Sequence, residues 1–161
     1  RMITEKEAED CRKSLEELQK MSFAQTDDKH ADFVWNTTLI TKRNRFLDIL
    51  KRYEEQEEKK TLPMELHVIK IGDIAFASNR FELFMDFQHR IQVRSPFEQT
   101  FIVQLCAQPI GFGTAGTYLA TERGTAGRGY SATMFCNHVS PQGGQTLVNQ
   151  TLQDLERLYM E

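Results

Sequence analysis

Apolar side chains recur three and four residues apart through the first sixty positions, then at every second position just after Pro63. That is a switch from helix to strand spacing. Ala8, Cys11, Leu15 and Leu18 form one narrow stripe behind Thr4-Glu5-Lys6-Glu7. In that tetrad the threonine hydroxyl accepts from the Glu7 amide and the Glu7 carboxylate reaches back to the Thr4 amide, so a first helix begins at Thr4. A second helix is expected from Asp28 to Glu58. Leu39, Phe46, Leu47, Leu50 and Tyr53 make its lower stripe, and Phe33, Val34 and Trp35 its upper apolar block. The short polar link Gln25-Thr26-Asp27 makes the two an antiparallel pair.

Beyond Pro63, Met64, Leu66 and Val68 alternate with Glu65, His67 and Ile69 as in a strand. Gly72-Asp73 separates them from Ile74-Ala75-Phe76-Ala77, a two-residue hairpin signal because glycine takes the positive φ such turns need. Ser78 or Asn79 is expected to cap a third helix that buries Phe81, Phe84, Phe87 and Ile91 and stops before Pro96. Thr100–Leu105 reads as a short, central apolar strand. Strand, helix, strand at this spacing is a βαβ unit, with its second strand parallel through a right-handed crossover. Residues 107–130 carry no apolar period, Tyr130–Phe135 is expected as one more strand, and Pro141 precedes a last amphipathic helix through Leu147, Leu152, Leu155 and Leu158. The fold class is therefore α/β: a helical hairpin over residues 1–60, then a small mixed sheet of about four strands with a βαβ unit and a C-terminal helix over 61–161. The chain is one domain or the C-terminal fragment of a larger catalytic domain.

Composition sharpens that boundary. Residues 1–60 hold 13 Lys/Arg and 14 Asp/Glu, whereas all nine glycines and all four prolines fall between Pro63 and Gly144. Ile, Leu, Val and Phe make a quarter of the 161 residues, enough for a core without disulfide or metal. Net charge −3 without a sustained basic patch argues against a nucleic-acid binder, and no stretch has the length of a transmembrane segment. Arg1 stands ahead of Met2, so the chain is read as part of something longer and its localisation stays open. Cys11, Cys106 and Cys136 fit neither a disulfide framework nor a zinc ribbon and read as inert thiols. Mixed charge in Lys42-Arg43-Asn44-Arg45 and Glu54–Glu58 reads as solvated helix face.

Motifs for nucleophilic elbows, phosphate loops and His-Glu-x-x-His metal helices are absent from the sequence. Gly111-Phe112-Gly113-Thr114-Ala115-Gly116 has the glycines of a dinucleotide loop without the flanking strand and helix. Among the scattered His30, His67, His89 and His138, the last, before a Ser-Pro turn, is the best isolated candidate for chemistry.

A longer pattern says more. Glu65–Ala77, Phe81-Glu82-Leu83-Phe84, Arg94–Thr100, Gly129-Tyr130 and Pro141-Gln142-Gly143-Gly144, in that order, resemble the C-terminal part of the neutral/alkaline non-lysosomal ceramidase-like proteins, above all their bacterial members of uncharacterised function. The resemblance spans residues 62–158. It implies a zinc-dependent amidase acting on a lipid amide, its metal held by two histidines, a glutamate and a tyrosine. The glutamate, opening the helix after a Gly-Asp strand, falls at Glu82, although Arg80-Phe81 replaces the family's Pro-Gly. The tyrosine falls at Tyr118, within Thr117-Tyr118-Leu119-Ala120-Thr121. Zinc accepts carboxylate oxygen and favours phenolate.

The histidines belong to an N-terminal portion that this chain lacks. The zinc is therefore expected to be completed by ligands outside the chain, from the same parent or a complementary chain, with the isolated chain inactive. Glu82 and Tyr118, 36 residues apart, should then approach each other. The same residues fit plainer roles: Asn79-Arg80-Phe81-Glu82 is also a helix cap, and a tyrosine in a glycine loop is also a packing anchor. The rival function is a non-enzymatic association module.

Overall fold

The structure is a computed structural model that describes residues 1–106, 117–127 and 129–161. It falls into two compact units, Met2–Lys60 and Thr61–Glu161, with Arg1 grouped with the second.

The first unit is a helical hairpin of α1 (Glu5–Gln19) and α2 (Lys29–Glu55). Thr4 and Glu7 cap each other's amides at the start of α1, and Asp28 caps α2 by accepting from the His30 and Ala31 amides. Ala8, Cys11 and Leu15 from α1 are buried with Leu39 and Ile49 from α2. Gln56 brackets Ile3, accepting from its amide and donating to its carbonyl, while Arg43 donates to the Leu18 and Met21 carbonyls. Those ties make the helices antiparallel. The upper block differs from expectation, since Phe33, Val34 and Trp35 are all exposed, and so is Leu47.

The second unit holds a three-stranded sheet in the order β1 (Val68–Ile71), β2 (Ile74–Ser78), β4 (Gln99–Val103). β1 and β2 are antiparallel, with Ile71 opposite Ile74 across a turn whose Gly72 has φ +60°. β2 and β4 are parallel, and the connection between them carries α3 (Met85–Gln92), as expected of a βαβ unit. α5 (Pro141–Met160) packs on α3 at Gly144, where an added Cβ would stand 2.3 Å from the Phe87 ring. The core joins Ala75, Phe81, Leu83, Phe87, Ile91, Phe97 and Leu119 to Leu147, Val148, Leu152 and Leu155. This helical layer covers one face of the sheet. On the other face Ile69, Ile71, Phe101 and Val103 remain exposed, and Phe76 stacks on Phe101 with centroids 5.0 Å apart.

Four expectations need correction. The strand expected at Thr100–Leu105 is not central: among the described residues β4 stands at the edge of its sheet, with β2 in the middle. The first strand starts at Val68 rather than Met64: from Leu62 alternate side chains do turn onto the core, but backbone pairing begins only near His67, whose carbonyl accepts from Ser78. The third helix starts at Met85 after Phe84 rather than at Ser78 or Asn79, because the Asn79 carboxamide takes the Phe81 amide and bends the chain into an extended segment. That segment supplies β3 (Glu82–Leu83), which pairs in parallel with β5 (Tyr118–Leu119) as a separate two-stranded sheet. Tyr130–Ala132 is a 3-10 turn, not a strand. The six-residue glycine run 111–116, with most of the loop ahead of Tyr118, lies outside the described residues; the rest of that loop includes β5 and a short α4 (Glu122–Ala126).

Candidate functional site

β2 and β4 stay together after leaving the sheet: the Asn79 amide donates to the Val103 carbonyl, and the Cys106 amide returns a bond to Asn79. Leu105, at φ +56°, donates to the Phe81 carbonyl. A non-glycine residue in that left-handed region carries local strain. Beyond this crossing the 82–84 segment changes partner. Glu82 donates its amide to the Thr117 carbonyl and Phe84 to Leu119, while the Leu83 amide is taken by the Gln104 side chain at 2.8 Å.

In the resulting register Glu82 stands opposite Tyr118. Neighbouring parallel strands put paired side chains on the same face. Glu82, as an acceptor for the hydroxyl proton, holds the Tyr118 phenol above its ordinary pKa, with burial, the charge of Glu82, Tyr130 and Cys136 acting in the same sense. The phenol is therefore the donor of the pair and the carboxylate the acceptor. Both side chains are half-buried. The Tyr130 ring meets that of Tyr118 edge to face at 6.2 Å.

The segment after Tyr130 clamps β5. The Cys136 carbonyl accepts from the Tyr118 amide at 2.9 Å and the Thr117 hydroxyl at 2.7 Å. Buried Asn137 accepts from the Ala120 amide and donates to the Ser131 and Thr133 carbonyls. His138 enters this network through its backbone amide, which donates to the Thr117 hydroxyl at 3.2 Å. Arg80, buried two residues ahead of Glu82, donates to the Pro63 carbonyl.

The structure thus brings Glu82 and Tyr118 together, though Glu82 sits on a strand and not at a helix start. His30 and His89 stand exposed on the helices, and exposed His67 faces Glu65 at 3.5 Å. Among the described residues no three His, Cys, Asp or Glu side chains gather as a ligand set. A carboxylate and a phenol are nonetheless hard oxygen donors suited to zinc as part of a site shared with other residues. Sequence reasoning missed Tyr130 as a wall of the site, and Gln104 and Asn137 as the clamps on the two short strands. Two-residue strands have no readable period, so only the polar residues among apolar neighbours hinted at them. No family model matches the chain, and no curated protein or solved structure does.

Proposed function

We propose that this chain contributes part of the zinc site of an amide hydrolase similar to the neutral/alkaline ceramidases, with Glu82 and Tyr118 as two oxygen ligands. The other ligands come from an N-terminal portion of the same parent or from a complementary chain, and the substrate class is a lipid amide. The observation that carries the reading is the pairing of Glu82 with Tyr118 across β3 and β5, which sets the two side chains on one face although 36 residues separate them in sequence.

When bound, zinc supplies a Lewis acid that polarises a carbonyl and acidifies water. The chain's own residues set the position and protonation of the two oxygens. Gln104 fixes the backbone beneath Glu82, and the Cys136 carbonyl with Asn137 fixes that beneath Tyr118. Tyr118 holds its proton against Glu82; removal of that proton leaves two anionic oxygens side by side, which demands a cation. Tyr130, largely exposed, walls one side of the pair.

The reading of a completing part has its own support: among the described residues Ile69, Ile71, Phe101 and Val103 leave one face of the sheet apolar and exposed, a surface that suits burial better than water. The same face favours the second reading, an association module without catalysis. Turnover separates the two. The intact parent polypeptide should release fatty acid from labelled short-chain ceramide in a zinc-dependent way, and the isolated 161-residue chain should release none. Glu82→Gln and Tyr118→Phe should each cost the parent more than the roughly 10–100-fold expected of outer-sphere partners. Undiminished turnover in both variants would overturn the ligand assignment, and turnover by the isolated chain that a chelator abolishes would place the whole site within these residues.

A further inference from the structure

Along α2 the buried and half-buried positions Asp32, Asn36, Leu39, Arg43, Phe46 and Leu50 recur at alternating steps of four and three. That is a heptad seam, and the rest of the hairpin occupies it. Arg43 donates to the Leu18 and Met21 carbonyls, Asn36 exchanges bonds with Ala24, and Asp32 accepts from the Thr26 amide and hydroxyl. The same steps repeat one residue later, at Phe33, Thr37, Ile40, Asn44, Leu47 and Lys51, all of them exposed. Phe33 is 68% exposed, Ile40 46% and Leu47 48%. Successive helical residues point 100° apart, so this second seam lies beside the first and runs for about 27 Å.

The spacing selects what covers the second seam. A repeat of this kind keeps step with another α-helix. A bilayer takes a broad apolar face and would have to admit Thr37, Asn44 and Lys51 with the rest. Charge selects which helix. Laid antiparallel on itself over its full length, α2 turns about its midpoint, Lys42, with Lys29 level with Glu55 of the second copy. His30 then stands level with Glu54 and Asp32 with Arg52, each pairing made twice through the two-fold axis. Arg43, Arg45, Asp48 and Lys51 fall level with the uncharged Thr41, Leu39, Asn36 and Phe33. Only Lys42 meets its like, and nine residues from Phe33 it points to the opposite side of the helix. A parallel pair would set every charge against itself. In the antiparallel register Ile40 falls level with Asn44, Leu47 with Thr37, and the Lys51 stem covers the Phe33 ring. The present partners of Lys29 and Glu55, the Thr26 carbonyl and Lys59, are local and exposed, so both side chains can turn to the second copy.

We infer that the second seam of α2 is a self-association surface, pairing with α2 of a second copy, antiparallel about Lys42, so that two hairpins close into a four-helix assembly. This holds whether or not Glu82 and Tyr118 bind zinc. A seam about 27 Å long buries less than the roughly 1,200 Å² of a standard interface, so the dissociation constant should be on the order of 100 µM. Sedimentation equilibrium of the 161-residue chain from about 10 to 1,000 µM, a range that brackets that value, should show the mass rising from 18.7 kDa toward twice that figure. Ile40→Glu with Leu47→Glu, both exposed positions, should hold the chain at 18.7 kDa with its circular dichroism unchanged. Lys29→Glu and Glu55→Lys should each weaken the dimer on the order of tenfold, because each sets like charges together at both ends. An equimolar mixture of those two variants should regain the original strength, since both ends of the mixed dimer again pair opposite charges. Damage to the fold would not be repaired by mixing. A mass of 18.7 kDa at every concentration would overturn the inference and leave the seam to a helix of another polypeptide. A dimer that the Ile40/Leu47 variant keeps, charge reversals without effect, or a mixture that stays weak would each overturn it as well.

Discussion

Tyr118 keeps its proton beyond the ordinary phenol range because the Glu82 carboxylate accepts its hydrogen bond and, being negative, opposes a second negative charge beside it. Folding therefore raises the pKa of an acid, and the sign of the pH effect follows. The pairing contributes in full below the ordinary phenol value and is lost as pH climbs from there through the raised folded value. Glu82→Ala should bring the Tyr118 titration down toward that of an ordinary tyrosine. Ring-carbon NMR resolves this among the four tyrosines, and an unchanged titration would mean that the carboxylate is not the partner. Cys11 obeys the same sign for another reason. Its thiol is pushed up first by burial and then by the Glu7 and Asp10 carboxylates, so the unfolded chain ionises first and hairpin stability declines as pH rises past the ordinary value of 9.0. Cys106 and Cys136 are half-buried and Cys11 is buried. Iodoacetamide at mildly alkaline pH should thus modify Cys11 last, as peptide mapping over time would show.

At the scale of elements, the local signals were readable and the distant ones were not. The Thr4/Glu7 box, the Gly72 turn and the βαβ crossover are decided by residues close in sequence, and they stand where the chain's spacing puts them. The start of α3 is different. Asn79 followed by Glu82 has the form of a helix cap, yet Asn79 turns its oxygen to Phe81, and Gln104 and the Thr117 carbonyl claim the Leu83 and Glu82 amides. Those partners lie 21 and 35 residues away, beyond any local pattern. The expected strand at Tyr130 fails similarly, since Asn137 draws in the Ser131 and Thr133 carbonyls and closes a turn. Tyr118 was legible only through the family resemblance, and its pairing with Glu82 depends on this change of strand partner. Where α3 meets α5 the contact is close enough for a sharp expectation. Gly144→Ala would put a Cβ 2.3 Å from the Phe87 ring tip, with two further ring atoms at 2.8 Å. Overpacking of this kind should cost about 1–3 kcal/mol in urea unfolding. A neutral substitution would show that the Phe87 ring yields easily.

For the whole molecule, the sheet of the Thr61–Glu161 unit has one face carrying the core and one carrying Ile69, Ile71, Phe101 and Val103 in water. Register explains the split. Ala75, Ala77 and Thr100 point into the helical layer, so their neighbours Phe76 and Phe101 point out, and a shift of one residue would exchange the faces. The outward face is strand-forming and apolar, which suits a buried surface better than a solvated one. Its effect on the chain alone and on an assembly should therefore differ. Ile71→Lys replaces a side chain that is 61% exposed, so it should change the stability of the 161-residue chain by about 0.5 kcal/mol or less. By contrast, Phe87→Ala, in the core, should cost about 3–5 kcal/mol. Under the proposed assembly the completing part would press the same lysine into an apolar contact, and the substitution should then cost several times what it costs the isolated chain, because a buried unpaired ammonium is expensive. Urea midpoints of the two variants in the two contexts measure the contrast. A large loss from Ile71→Lys in the isolated chain would mean that the chain covers this face itself; equal small losses in both contexts would mean that nothing covers it.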